Sequence, residues 1–224
     1  MKTFVIVLII LGFLLQGLFI VAEHAEKYLV ADVLKGAASL MFVLVGYNAF
    51  LSINNSFNKQ ILIGLVFDLI GDVLLNLRFV FPKNGQKIFL LGILAFLIGH
   101  IMYLIALIPQ AQHLVTFAFI GAICAALLLI YIFKTMEVKK AFKIFGIFYL
   151  GAVFVMCSIA IGIAIYAPSA RSIVYAIGAI LFTASDVVLI FNTFSGVSKF
   201  SLRITNLSLY YIGQILIACS MFLQ

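Results

Sequence analysis

"GAILFTASDVVLIFNTF", residues 178–194, reads as the body of a transmembrane helix, yet it carries Asp186 near its middle. A carboxylate at that depth costs on the order of 3 kcal/mol on insertion scales. The stretch "GLVFDLIGDVLLNL", residues 64–77, holds the same irregularity at Asp72. Around these two stretches the chain is uniformly apolar. Of 224 residues, 66% are hydrophobic and 9% are charged, and the mean hydropathy is +1.31. Soluble domains carry about a quarter charged residues, so that class is excluded.

Eight apolar stretches are long enough to cross the hydrocarbon core, near residues 3–22, 31–51, 60–80, 86–108, 112–133, 143–166, 171–194 and 203–223. They predict an all-α polytopic membrane protein of eight transmembrane helices, with residues 1–224 forming a single transmembrane domain. Pro82, Pro109 and Pro168 fall at the junctions, where a helix breaker does no harm. The opening "MKTFVIVLIILGFLLQGLFIVA" places Lys2 before an apolar core, as a signal peptide does. The run is longer than a usual signal core, and no small-x-small cleavage site follows, so it is expected to remain as the first helix.

The net charge of +7 sits in the connections. One side of the bilayer collects Lys27, Arg78, Lys83, Lys87, Lys134, Lys139, Lys140, Lys143, Lys199 and Arg203; the other collects Lys2, Lys59 and Arg171. The positive-inside rule then puts the odd-numbered loops in the cytoplasm and both termini outside it. The expected location is a bacterial inner membrane. Basic charge of this kind speaks to topology and anionic headgroups, and nucleic acid is not an expected partner. Cys124, Cys157 and Cys219 are isolated within apolar spans and read as small packing residues.

A gapless shift of 114 residues aligns Gly64 with Gly178, Asp72 with Asp186, Val73 with Val187 and Leu75 with Leu189. It also aligns "IGHI" (98–101) with "IGQI" (212–215), so His100 corresponds to Gln214. The offset spans four helices, so matched helices run in the same direction. Two parallel four-helix repeats related by an axis along the membrane normal are the natural reading. Asp72 and Asp186 would then face one another across that axis.

Other polar residues cluster at similar depth. Asp68, Asp72 and Asn76 recur every four residues on one face of the third helix, and Thr183, Asp186 and Thr193 share a face of the seventh. His100 and Tyr103 lie in the fourth helix; Tyr210, Tyr211 and Gln214 lie in the eighth; Asp32, Lys35 and Ser39 form a stripe on the second. Intramembrane ionisable groups face the bundle interior or water, so these are expected to converge on a cavity open to the cytoplasm. Each has a plainer reading: Asp32 with Lys35 as an interfacial ion pair, Asn76, Asn192 and Gln214 as interhelical hydrogen bonds, His100 as a satisfied core residue, Asp68 as support for Asp72 or a solvated wall. His24 and His113, at span ends, carry no assignment. The matched aspartates resist the plain reading, because burying two carboxylates destabilises a fold.

Two neighbouring carboxyl groups share a proton, which sets a general acid beside a general base. Glycosidases use that arrangement around an oxocarbenium-like transition state. A metal site of Asp72, Asp186 and His100 is a weaker alternative, and no nucleophile elbow, Walker A loop or dinucleotide fingerprint is present. A transporter or lipid-handling protein using the same carboxylates is the main competing class.

The stretches "GLVFDLIGDVLLNL", "GILAFLIGHIMYL", "GAILFTASDVVLIFNTF" and "LYYIGQILIACS", in that order and spacing, resemble the YhhN/lysoplasmalogenase family of eight-helix membrane proteins. Two departures stand out: Gly36 follows Lys35 where the family tends to have proline, and Asp68 stands where serine is common. The resemblance implies hydrolysis of the vinyl-ether bond of lysoplasmalogens to a fatty aldehyde and a glycerophospho-ethanolamine or -choline. It also implies Asp72 and Asp186 as the catalytic pair. His100, Tyr103, Tyr211 and Gln214 would orient the pair or its water, and Lys35 and Asn76 would hold the phosphate and glycerol. The partners implied are a lysophospholipid substrate and membrane lipids. That chemistry requires no metal and no organic cofactor.

Overall fold

The computed structural model describes residues 2–196 and 198–223; the side chain of Lys2 lies outside the described ones. Among the described residues there are eight α-helices: α1 (Lys2–His24), α2 (Tyr28–Ser52), α3 (Ser56–Val80), α4 (Gly85–Leu107), α5 (Leu114–Thr135), α6 (Lys140–Tyr166), α7 (Ala170–Phe194) and α8 (Phe200–Ser220). Each overlaps one expected stretch. The fifth starts two residues late because Pro109 sits in a short 3-10 turn, Ile108–Gln110, and the eighth ends at Ser220 rather than residue 223.

Helices α1 to α7 are long and apolar enough to cross a membrane; the protein is an integral membrane protein. Helix α8 has the length, about 31 Å at 1.5 Å per residue, but its apolar content is diluted by Arg203, Thr205, Asn206, Ser208 and Gln214. Asn206 and Gln214 are buried inside the bundle, where partners meet them. Outward-facing Val33, Val115, Phe119, Leu127 and Phe148 remain more than half exposed, as side chains that meet lipid do.

Helix packing repeats under a shift of four helices. Helix α1 packs on α2 as α5 packs on α6; α2 on α3 as α6 on α7; α3 on α4 as α7 on α8; and α4 on α6 as α8 on α2. The 114-residue shift holds at finer grain. Helix α3 is capped by Asn55, whose side chain accepts the Asn58 N–H at 2.8 Å. The corresponding Ser169 caps α7 by accepting the Ser172 N–H at 3.1 Å. A Cβ on Gly99 would meet the Gly64 carbonyl oxygen at 3.0 Å, and one on Gly213 would meet the Gly178 carbonyl oxygen at 2.9 Å. Both helix pairs therefore cross backbone to backbone at matched glycines, as small residues permit in membranes. On these packed pairs, Asp68 and Asp72 of α3 and Asp186 of α7 are buried.

Candidate active site

A cavity of about 1070 Å³, mouth included, opens where α3 and α5 end and where α6 and α8 begin. Every described helix except α1 contributes to its wall. Asp72 and Asp186 both line it, together with Lys35, Tyr149 and Tyr210. Beyond them the walls are apolar, with Ile93, Leu129, Phe133, Leu150, Leu189 and Ile190, and Arg78 and Arg203 stand among the lining residues near the helix ends. A polar head, an apolar body and a cationic rim suit a single-chain amphiphile.

The two aspartates are held differently. Asp72 receives three donors: the Lys35 ammonium at 3.1 Å on Oδ1, and the Ser39 and Tyr210 hydroxyls, each at 2.6 Å, on Oδ2. That is the environment a carboxylate anion needs when buried. Among the described residues Asp186 receives one, the Tyr149 hydroxyl at 2.6 Å. The 114-residue shift maps Lys35 onto Tyr149, so the two halves place a donor at the same position, charged in one and neutral in the other.

The plain ion pair of Asp32 with Lys35 is not formed. Lys35 turns to Asp72, and Asp32 keeps a buried Oδ1 without a partner. Lys35 is thereby engaged at the aspartate. Tyr211 acts at one remove: its hydroxyl meets Ser39 at 3.1 Å and the Lys35 carbonyl at 3.3 Å, and Ser39 in turn donates to Asp72.

Tyr103 and Gln214 do not line the cavity. Their hydroxyl and amide donate to Asp68 Oδ2 at 2.6 and 2.7 Å, in a layer beneath it. Asp68 is completely buried, so the solvated-wall reading fails. Gln214 Nε2 also reaches the Tyr210 hydroxyl at 3.3 Å, which links this layer to Asp72. His100 is buried as well. Its Nδ1 donates to the Phe96 carbonyl at 2.8 Å, since a carbonyl can only accept, and its Nε2 has no partner. The imidazole packs against Phe182 and Tyr149. Among the described residues no three His, Cys, Asp or Glu side chains converge as a metal would require, so Asp72, Asp186 and His100 form no such triad.

Asn76 is buried beside the rim, its amide oxygen 3.4 Å from Arg203 Nη2. Thr183 and Ser185 bond back to their own helix, and Asn192 accepts the Lys199 N–H at 2.7 Å across the α7–α8 turn. Three residues of the site are not evident from sequence as parts of it: Tyr149 looks like an ordinary membrane tyrosine, and Arg78 and Arg203 read there only as topology signals. Tyr210 is expected at the cavity, but its bond to Asp72 is not evident from sequence. For Tyr149 a signal exists: it is the repeat partner of Lys35.

Against known proteins, a sequence model described as the YhhN family matches residues 30–221. No curated protein and no solved structure matches the chain.

Proposed function

The chain belongs to the YhhN family, and from that premise and the cavity's geometry we propose that it is a membrane-embedded hydrolase cleaving the vinyl-ether bond of lysoplasmalogens. The products are a fatty aldehyde and a glycerophospho-ethanolamine or -choline. The observation that carries this reading is the unequal pair of aspartates lining one cavity whose other walls are mostly apolar.

In this mechanism Asp186 is the acid and Asp72 the base. Asp186 gives its proton to the outer carbon of the vinyl ether, and the ether oxygen shares the resulting positive charge as an oxocarbenium ion. The anionic Asp72 stabilises that cation and takes a proton from water as the water oxygen bonds to the ether-bearing carbon. The hemiacetal then collapses. Its hydroxyl proton returns to Asp186, the carbon–oxygen bond to glycerol breaks, and Asp72 protonates the departing oxygen. One water is consumed and both carboxyl groups are reset. Tyr149 orients the acid; Ser39, Tyr210 and Lys35 hold the base, with Tyr211 behind Ser39. Tyr103, Gln214 and His100 support them from beneath, and Asn76 sits towards the headgroup.

A carrier that moves lipid without chemistry draws on the same duplicated halves and inner carboxylates. Aldehyde release from lysoplasmalogen by the purified protein separates the two. We expect release by the wild type and a loss of at least about a hundredfold in Asp186→Asn and in Asp72→Asn, the range general acid–base catalysis supplies. Full activity in either variant would sink the two-carboxylate mechanism, and lipid flux into proteoliposomes without aldehyde would favour the carrier.

A further inference from the structure

Three cationic side chains line the cavity, and two of them have an acidic partner. Lys35 is paired with Asp72, and Arg203 holds Glu23 through two hydrogen bonds of 2.8 Å. Arg78 has neither an ion pair nor a hydrogen bond among the described residues, and its Nε is buried without an acceptor. Its guanidinium lies 4.6 Å from the Phe79 ring centroid and 4.2 Å from that of Phe89, so two aromatic rings hold it at the cavity. Two residues earlier on the same helix, outside the cavity lining, Asn76 Nδ2 is also buried without an acceptor, while the oxygen of the same amide is turned to Arg203.

From this arrangement we infer that Arg78 is the phosphate subsite of the cavity, taking the phosphodiester of a single-chain lipid headgroup. An ordered guanidinium with free N–H groups at an apolar cavity calls for an anion, and its fork matches two phosphate oxygens. Glu23 and Asp72 do not supply that anion, because each is already paired with another cation. Spacing fits as well. Arg78 follows Asp72 by six residues on one helix, about 9 Å of rise. The five bonds from an ether oxygen at glycerol carbon one to the phosphorus advance roughly 6 Å when extended, and the arginine side chain closes the remainder. In this assignment Lys35, engaged at Asp72, does not take the phosphate role that the family resemblance implies for it.

This assignment names the headgroup subsite of the cavity proposed above, and its test does not require hydrolysis. Binding of a 1-alkyl-lysophosphatidic acid, whose ether cannot be cleaved by this chemistry and whose headgroup is phosphate alone, is compared by calorimetry with binding of 1-alkylglycerol, the same lipid without phosphate. Arg78→Gln is expected to weaken the phospholipid at least about tenfold and to leave 1-alkylglycerol within about twofold, the loss of a charge-assisted fork. Arg78→Lys, which keeps the charge and loses the fork, is expected to fall between. Millimolar inorganic phosphate is expected not to displace the phospholipid from the wild type; displacement would overturn the lipid assignment in favour of a free-phosphate site. Equal losses for both lipids, or no loss for the phospholipid, overturn the subsite altogether. If the wild type binds in this pattern but releases no aldehyde from lysoplasmalogen, the hydrolase reading fails and the subsite stands.

Discussion

At the scale of single residues, the two aspartates differ in what each leaves behind when neutralised. Asp72→Asn strands the Lys35 ammonium, 3% exposed, without its counter-charge. Breaking a buried pair on one side costs about 3–5 kcal/mol, so the variant is expected to lose stability as well as activity. Asp186 is bonded to a neutral phenol, and Asp186→Asn leaves no orphaned charge. It is expected to unfold like the wild type in detergent melts while being inactive. Removing both members of the pair, as Lys35→Met with Asp72→Asn, is expected to restore the melting temperature but not aldehyde release. Equal melting of Asp72→Asn and wild type would mean that the ion pair contributes nothing. The aspartates are legible in the sequence because a carboxylate in an apolar run is conspicuous whatever its neighbours. Their partners are legible only in part: Lys35, Ser39 and Tyr210 stand out as polar residues without showing their bonds to Asp72, Tyr149 shows only as the repeat partner of Lys35, and Arg78 acquires meaning from having no polar partner among the described residues.

At the scale of elements, α6 supplies both the partner of Asp186, the proposed acid, and part of the apolar wall. Tyr149 stands at the aspartates, and Gly146, one turn earlier, lines the same cavity with open space where a Cβ would be. Phe133, Val138 and Phe142 line the same cavity, and the proposed function would run the hydrocarbon chain along this apolar wall. Gly146→Leu puts four carbons into the open space. The expected result is a shift in preference towards shorter alkenyl chains, read as kcat/KM across a chain-length series, with the shortest substrates unaffected. A chain-length profile identical to the wild type's would place the chain elsewhere. The eight helices themselves are readable from apolar length alone, and their ends follow prolines and caps such as Asn55 and Ser169. Which helices touch is not readable: α4 packs on α6 rather than on its sequence neighbour α5, and local pattern does not encode that choice. Only the 114-residue shift, once α2 is seen to pack on α8, makes the α4–α6 contact its repeat.

At the scale of the whole molecule, a duplication accounts for how two aspartates matched by the 114-residue shift come to be held differently, as the proposed acid and base are. A parallel repeat brings Asp72 and Asp186 to one cavity as equals; their difference lies in substitutions between the halves, Lys35 for Tyr149 and Phe96 for Tyr210. Phe96 and Tyr210 meet edge to face, their ring centroids 6.2 Å apart, and only the tyrosine has a hydroxyl to give Asp72. The same symmetry bears on the one helix whose composition does not declare a membrane span. If α8 repeats α4, it crosses the bilayer in the same direction, despite Arg203, Asn206 and Gln214. Its polar groups have internal partners: Arg203 holds Glu23, Asn206 donates to the Ser185 carbonyl at 2.8 Å, and Gln214 donates to Asp68. With those groups satisfied, little polarity remains for lipid to meet. The charge asymmetry of the loops then predicts the α7–α8 turn in the cytoplasm and the C-terminus outside. Alkaline phosphatase, active only outside the cytoplasm, is expected to be silent when inserted after Ser198 and active when fused to the C-terminus. Activity at both sites, or at neither, would mean that α8 does not cross. The four-helix repeat would then fail at its last element, and Tyr210 and Gln214 would have to reach Asp72 and Asp68 from a helix lying on one side of the membrane.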